Sequence, residues 1–327
     1  MRYASLLTAF LSFSLLAADA KPQTYALIVA GDGGEANFSE NYKDWTVRLH
    51  KVLTERGIPA SNIRVLMEKK DAAPICNDVS TRENVLKAFD ELAKSLKTPD
   101  RFCLFFIGHG TAQNKTGKLC IPGPDISSDD VSAALEKLPA KSQLFVNSAS
   151  LSDAYLEKCS LPGRIIITAT NNPGEGNETY FMEFFLRGLE TKAADGDKNG
   201  AIDALEAFNY AAVECPKWYL RQYLEKEGGW RVDGKQSREL WQKFYGKIPE
   251  KKLIAPADPN ADDKDPLLGE WGPQWEGRRM PTEHAQLDDN GDKAGTAVFV
   301  NNEYLLVTPA DENSDGFSAK KFIIGQQ

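Results

Sequence analysis

The residues whose types and spacing most clearly suggest chemistry form an acidic loop near the middle of the 327-residue chain. If Asp195 is counted as the first position, oxygen-bearing side chains fall at positions one, three, five, nine and twelve, and Gly200 holds position six. An EF-hand loop supplies its calcium ligands from these positions, and its sharp turn needs glycine at position six. A solvated acidic turn is the alternative. We expect Ca²⁺ to be bound by six residues: Asp195, Asp197, Asn199, Ala201 through its carbonyl, Asp203 and Glu206.

A histidine and a serine form a second candidate site. His109 follows an apolar run and lies between two glycines, and Ser150 stands in a serine-rich segment after the next apolar run. A histidine that contacts a serine hydroxyl can act as the general base that makes it a nucleophile. Two simpler interpretations remain open. His109 would then be a loop histidine bonded to a carbonyl, and the serines would cap a helix.

The elements that must position these residues can be read from the hydrophobic pattern. Short apolar runs alternate with segments of helical periodicity, and each run is closed by glycine or polar residues. The apolar runs are 24–30, 63–67, 102–107, 143–146 and 164–168. This rhythm predicts an α/β fold with a mostly parallel sheet covered by helices on both faces. Sites in such sheets form beyond the carboxyl ends of the strands, so the loops after Ala30, Ile107 and Val146 are the important ones.

The segment Phe105-Phe106-Ile107-Gly108-His109-Gly110 resembles the strand-then-His-Gly motif of caspase- and legumain-like cysteine peptidases. In that family the next parallel strand ends in an acidic-Ala-Cys-x-Ser-Gly motif, whose cysteine attacks the peptide carbonyl. Here residues 148–152 align with that motif and put Ser150 at the nucleophile's position. The resemblance covers about residues 24–219 and implies a caspase-like three-layer sandwich. An exported bacterial subgroup with serine at this position is more similar still, also over 282–291.

The resemblance also implies roles for individual residues. His109 and Ser150 would be the catalytic pair, and Gly110 would donate its N–H to an oxyanion. The pocket for a peptide or protein ligand would include Asp32, Ser148 and Glu175.

The serine at the nucleophile's position changes the expected activity. A cysteine thiolate is available near neutral pH, whereas a serine hydroxyl stays protonated and needs an aligned base and a group that orients the base. The family's acid and glycine beside the nucleophile are replaced here by Ser148 and Asp153. We therefore expect a catalytically impaired binding or scaffold module stabilised by Ca²⁺. The alternative is an active hydrolase of peptides that uses Ser150 and His109.

Charge and composition exclude several classes of function. The chain has 39 Lys and Arg against 47 Asp and Glu, a formal net charge of −8, so it lacks the positive surface that nucleic acids or anionic membranes require. With three histidines in total, a multi-histidine metal cluster is not expected.

The ends of the chain differ from its centre. Residues 1–20 have the short positive start, the apolar stretch and the small residues of a signal peptide cleaved near Ala20, which predicts an exported protein that does not span a membrane. The main domain is expected over 21–224, followed by a Trp-rich irregular insertion at 225–281 and a C-terminal irregular or β extension at 282–327 with a short hairpin. Five cysteines in an exported chain suggest one or two disulfides and a remaining thiol.

Overall fold

The protein is built around one central sheet with helices on both faces. A computed structural model of the chain describes residues 21–226, 283–300 and 303–326. The strands are β1 (Thr24–Ala30), β2 (Ile63–Met67), β3 (Asp78–Val79), β4 (Arg101–Ile107), β5 (Gly110–Gln113), β6 (Thr116–Leu119), β7 (Ile126–Ser127), β8 (Ser142–Asn147), β9 (Arg164–Thr168), β10 (Gln286–Asp288), β11 (Thr296–Ala297), β12 (Phe299–Val300) and β13 (Glu303–Tyr304). The helices are α1 (Ala36–Glu55), α2 (Arg82–Ser95), α3 (Ser128–Glu136), α4 (Leu156–Cys159), α5 (Phe181–Glu190) and α6 (Ala204–Lys226).

The central sheet has eight strands in the order β11-β10-β9-β8-β4-β1-β2-β3. The six strands from β3 to β9 in this order pair in parallel, whereas β10 pairs with β9, and β11 with β10, in the antiparallel sense. The four inner strands β1, β4, β8 and β9 are almost entirely buried. Parallel strands covered on both faces are nearly continuous apolar runs, which is why the sequence pattern identifies them.

Successive side chains of each strand point to opposite faces of the sheet and enter two separate cores. Ala26 and Ile28 pack in the core that includes residues of α1, α5 and α6. Leu27 and Val29 pack in the other core, which includes residues of α2, α3 and α4. The prediction of an α/β fold with a mostly parallel sheet covered on both faces is therefore confirmed.

Two helices on the second face begin at side-chain caps. Thr81 accepts a hydrogen bond from the Asn84 backbone N–H at the start of α2. Ser127 and Asp130 form a reciprocal capping box at the start of α3. Both caps satisfy N–H groups that have no partner inside the helix.

The C-terminal residues return to the main sheet. Strand β10 adds to β9 with Gln286 opposite Thr168, and β11 extends the same edge. The short strands β12 and β13 form a separate two-stranded antiparallel sheet. The sequence pattern indicates only a terminal hairpin, because strands of three and two residues are too short to show a period.

The last residues of the chain cross the sheet at the amino ends of β1 and β4. The guanidinium of Arg101, the first residue of β4, donates to the carbonyl of Ile323 at 2.8 Å. The Thr24 N–H donates to Oε1 of Gln326 at 3.0 Å. On its other side, the Ile324 N–H donates to the carbonyl of Ile202 in the acidic loop at 2.9 Å. We call residues 322–326 the C-terminal tail, and it connects the acidic loop to the sheet.

The expected disulfides are not formed. All five cysteines are described, and each is a free thiol. The sheet separates two of them, because Cys103 packs in the core beside α1 and Cys159 in the core beside α3. Burial raises the pKa of each of these two thiols to about 12, so neither is a reactive thiolate.

Two other expectations concern residues that the structure does not describe. The signal peptide at 1–20 and the Trp-rich insertion at 225–281, apart from its first two residues, lie outside the described residues. Among the helices that are described, none is long and apolar enough to cross a bilayer.

Candidate functional site

Neighbouring parallel strands bring His109 and Ser150 to the same edge of the sheet. Strands β4 and β8 pair with Phe106 opposite Asn147, so the loops that follow them start side by side. The Ser148 N–H continues this pairing and donates to the Phe106 carbonyl at 2.9 Å. The arrangement of the two loops follows from the strand order, as the sequence pattern suggests.

The hydroxyl of Ser150 ties these two loops together. It accepts a hydrogen bond from the Gly110 N–H at 2.9 Å and donates to the Gly110 carbonyl at 3.2 Å. The residue is 2% exposed. A Cβ atom added to Gly110 would come within 2.1 Å of the Ser150 carbonyl oxygen, so this close approach requires glycine. The Gly110 N–H, which the resemblance assigns to an oxyanion, is occupied by Ser150.

The imidazole of His109 packs against α1. Its ring centroid lies 4.8 Å from that of Phe38 and 5.5 Å from that of Tyr42, both nearly perpendicular. Burial lowers the pKa of His109, and the backbone of Gly33 and the charge of Asp32 offset part of that effect. The imidazole is therefore neutral at neutral pH. Within the described part of the chain, no hydrogen bond joins it to Ser150.

The other serines of this segment also bond to the backbone. The Ser148 hydroxyl donates to the Phe106 carbonyl at 2.8 Å. The Ser152 hydroxyl accepts from the N–H groups of Ala169 and Thr170 at 3.0 and 3.2 Å. These side chains fix the ends of β4, β8 and β9 relative to one another.

The three predicted pocket residues differ in how far they can reach a ligand. Asp32 is partly exposed after β1, and its Oδ1 accepts from the Gly34 N–H at 2.9 Å. Ser148 is buried and bonded to Phe106. Glu175 is buried, and its carboxylate binds Nδ1 of His284 and the Asn171 N–H. Of the three, Asp32 is the one with an exposed surface.

The pair Glu283–His284 belongs to this end of the sheet and is missed by sequence reasoning. Glu283 is fully buried and accepts from the N–H groups of Tyr180 and Phe181 at the start of α5 and from the Tyr219 hydroxyl. Burial raises its pKa to about 7. The only sequence signal was the likeness over 282–291, because no periodicity surrounds the pair.

A second group beside His109 also escapes the sequence analysis. Tyr42 of α1 and Glu178 of the loop before α5 each have a buried oxygen without a hydrogen-bond partner. Burial raises the pKa of both side chains. The sequence pattern assigns Tyr42 to a helix and gives no sign of its neighbour, which comes from an irregular loop.

The acidic loop brings three of its six predicted ligands together. Carboxylate oxygens of Asp195, Asp197 and Glu206 lie within 4.8 Å of one another, a separation that one cation can span. Asn199 instead accepts from the Ala201 N–H at 2.8 Å through its side-chain oxygen. Beyond that N–H bond, nothing in the structure shows a role for Ala201.

Asp203 caps α6, which follows the loop. Its Oδ1 accepts from the Glu206 N–H at 2.8 Å, and Oε2 of Glu206 accepts from the Asp203 N–H at 3.1 Å, so the two residues form a capping box. Burial raises the pKa of Asp203 to about 6.

The donor set of this loop fits a hard cation. All of its candidate ligands are oxygens, which Ca²⁺ prefers. Oδ1 of Asp195 is buried and has no hydrogen-bond partner. Gly200 has a φ of +86° at the sharp turn, where glycine is favoured. A bound cation would give the Asp195 oxygen its missing partner.

Comparisons with known proteins do not assign the chain to a family. No family model matches it, and no curated protein matches it. Among solved structures it is similar to the crystal structure of protein GSU0716 from Geobacter sulfurreducens, a structural genomics target. The identity is 16% and the TM-score 0.39, over 59% of this chain and 89% of that chain. A function must therefore be argued from the site itself.

Proposed function

We propose that the protein is a non-catalytic, peptide-binding relative of caspase- and legumain-like peptidases, with a three-layer domain stabilised by Ca²⁺. The observation that carries this proposal is the commitment of the Ser150 hydroxyl to both backbone groups of Gly110. Export through cleavage near Ala20 is part of the proposal.

The geometry around Ser150 lacks what serine catalysis needs. A serine nucleophile requires a base within hydrogen-bond reach and a free donor for the oxyanion. His109 packs on Phe38 and Tyr42, and the Gly110 N–H is occupied by the serine itself. In this proposal Ser150 acts as a structural connection between the loops after β4 and β8 and does not act as a nucleophile.

Covalent labelling tests whether the site is catalytic. We expect neither a fluorophosphonate nor a peptidyl acyloxymethyl ketone to label the protein, and we expect the same lack of labelling for Ser150→Ala. Intact-mass spectrometry measures the adduct. An adduct that disappears in both Ser150→Ala and His109→Ala would establish the alternative, an active hydrolase. If Ser150→Cys becomes reactive towards the ketone, the rest of the catalytic site is intact and the nucleophile alone was lost.

Calcium is supported by the loop 195–206. The three carboxylates that approach one another stand at positions one, three and twelve of the EF-hand pattern, and the buried oxygen of Asp195 has no other partner. Asp195, Asp197 and Glu206 would bind the ion directly. A bound ion would neutralise the repulsion among the three carboxylates. It would also connect the first turn of α6, which contains Glu206, to the segment after α5 that contains Asp195 and Asp197.

A further inference from the structure

Two buried oxygen atoms beside His109 have no partner. Tyr42 is 3% exposed, yet its hydroxyl makes no hydrogen bond in the described structure, and Oε1 of Glu178 has none with good geometry either, although the Asn41 side chain lies near enough to this carboxyl to offset part of the rise in its pKa. Buried polar atoms of folded proteins nearly always have a partner, so an atom without one calls for an explanation.

The two atoms belong to one group of side chains. Burial raises the pKa of Tyr42, and the negative charge of Glu178 raises it further, so the Glu178 carboxylate lies near the Tyr42 hydroxyl. The Tyr180 hydroxyl donates to Oε2 of Glu178 at 3.3 Å. Glu178 and Tyr180 are half-buried and form the side of the group that faces solvent, whereas the two unpartnered oxygens lie beneath the surface.

Aromatic rings form the sides of this group. The ring centroids of Trp45 and Tyr180 are 6.1 Å apart, and those of Tyr180 and Trp218 are 4.6 Å apart. The Tyr42 ring meets that of His109 at 5.5 Å, which joins the group to the candidate site. Aromatic faces beside a carboxylate favour a cation, and guanidinium groups bind such surfaces well.

The missing partner can be described by its chemistry. A carboxylate oxygen only accepts hydrogen bonds, and a tyrosine hydroxyl can accept as well as donate. A group that carries a positive charge and at least two N–H donors would satisfy both orphan atoms at once. We propose that Tyr42, Glu178 and Tyr180 form the pocket for the basic side chain, arginine or lysine, of a bound peptide. This inference rests on the proposed function as a peptide-binding module.

Peptide binding to the full-length protein tests the pocket. Isothermal titration calorimetry would compare acetyl-Ala-Ala-Arg-Ala-amide with the lysine peptide and with the citrulline peptide, which has the shape of arginine without its charge. We expect at least one of the two basic peptides to bind ten times more tightly than the citrulline peptide. The better basic peptide identifies the cation.

Two variants and a control separate the pocket from general effects. Glu178→Gln should reduce the preference for the basic peptide to less than threefold, and Tyr42→Phe, which removes one oxygen, should weaken the basic peptide several-fold. Glu91→Gln changes an exposed carboxylate on α2, paired with Arg64, and should leave every affinity unchanged. Circular dichroism would show that each variant is folded.

The outcomes distinguish the inference from the proposed function. Equal binding of basic and citrulline peptides, a preference that survives Glu178→Gln and Tyr42→Phe, or no binding of any peptide would overturn the inference. The labelling of Ser150 decides the catalytic question independently, since an adduct there would refute the proposed function whatever the peptide preference.

Discussion

At the scale of single residues, the contacts of Ser150 decide between a catalytic and a structural role. A nucleophile needs a hydroxyl that is free to attack, whereas this hydroxyl bonds the N–H and the carbonyl of Gly110. The two roles predict different effects when the Ser150 hydroxyl is removed. A catalytic hydroxyl contributes to the reaction rate, whereas a hydroxyl that connects two loops contributes to the stability of the folded protein.

Replacement of Ser150 by alanine should therefore destabilise the protein. The change leaves the half-buried Gly110 N–H without its partner, and because a fully buried unpaired donor costs about 1–3 kcal/mol, we expect a loss of about 1 kcal/mol. Urea unfolding measures the difference. Ser61→Ala, at an exposed serine in the turn before β2, is the matched control and should change stability by less than about 0.5 kcal/mol. Equal stability of Ser150→Ala and the parent would argue against the tie.

The buried carboxyl of Glu283 should make stability depend on pH. Burial raises its pKa from 4.5 to about 7, so the folded state holds a proton that the unfolded state releases between these values. The free energy of unfolding is then highest below pH 4.5 and falls as pH rises to 7, by about 2–3 kcal/mol from this group.

The variant Glu283→Gln isolates this contribution. It cannot titrate, so its unfolding free energy should fall less than that of the parent between pH 4.5 and 7.5. Burial also raises the pKa values of Asp203 and Asp315 to about 6. These two residues contribute the same pH dependence to the unfolding free energy of both proteins, so their contribution cancels when the two curves are subtracted. Urea titrations at a series of pH values measure it, with Glu91→Gln as the exposed control. Parallel curves for Glu283→Gln and the parent would exclude the effect.

At the scale of the elements, the sequence predicts strands well and side-chain direction poorly. The inner strands are continuous apolar runs, so β1, β4, β8 and β9 could be located and their loops brought to one edge. The three-stranded sheet β5–β7 was missed, because its first strand is mostly exposed and polar. The orientation of the His109 side chain depends on its contacts with Phe38 and Tyr42, which lie one turn apart on α1. The local sequence does not indicate which loop packs against this face of α1.

At this scale, the acidic loop leads to a prediction about the effect of calcium on thermal stability. Removal of calcium with EDTA should lower the melting temperature, and added Ca²⁺ should restore it, because an ion that binds only the folded state stabilises it by mass action. Asp195→Asn removes one of the three close carboxylates and should weaken Ca²⁺ binding at least tenfold.

Differential scanning fluorimetry with and without millimolar Ca²⁺ measures this effect. Asp292→Asn is a suitable control, because Asp292 is an exposed carboxylate of another acidic turn. It should leave the calcium response unchanged. If neither EDTA nor Ca²⁺ changes the melting temperature of the parent protein, the calcium proposal is wrong.

At the scale of the whole molecule, the two ends of the described chain meet. The C-terminal tail bonds the acidic loop through Ile324 and Ile202, and it bonds the first residues of β1 and β4. Arg101 is the centre of this junction, since its buried guanidinium donates to the carbonyls of Ile323 and Gly325 and to the Thr24 hydroxyl. The sequence could not indicate the junction, because the tail's partners in β1 and β4 are more than two hundred residues away from it, and Ile202 is more than one hundred residues from Ile324.

Because the C-terminal tail contacts both the acidic loop and the sheet, we expect a change at this junction to lower both the calcium affinity and the stability of the protein. Arg101→Met keeps the length of the side chain but removes its hydrogen bonds to the Ile323 and Gly325 carbonyls and to the Thr24 hydroxyl, so we expect a loss of about 2–4 kcal/mol in the free energy of unfolding. Because the tail pairs with the acidic loop, the same variant should also weaken Ca²⁺ binding measured by calorimetry at a temperature where it is folded. Arg64→Met, on neighbouring β2, removes an exposed pair with Glu91 and should cost less than about 1 kcal/mol with no change in Ca²⁺ affinity. If Arg101→Met unfolds more easily yet binds Ca²⁺ as the parent does, the tail stabilises the sheet alone and the loop holds its ion without it.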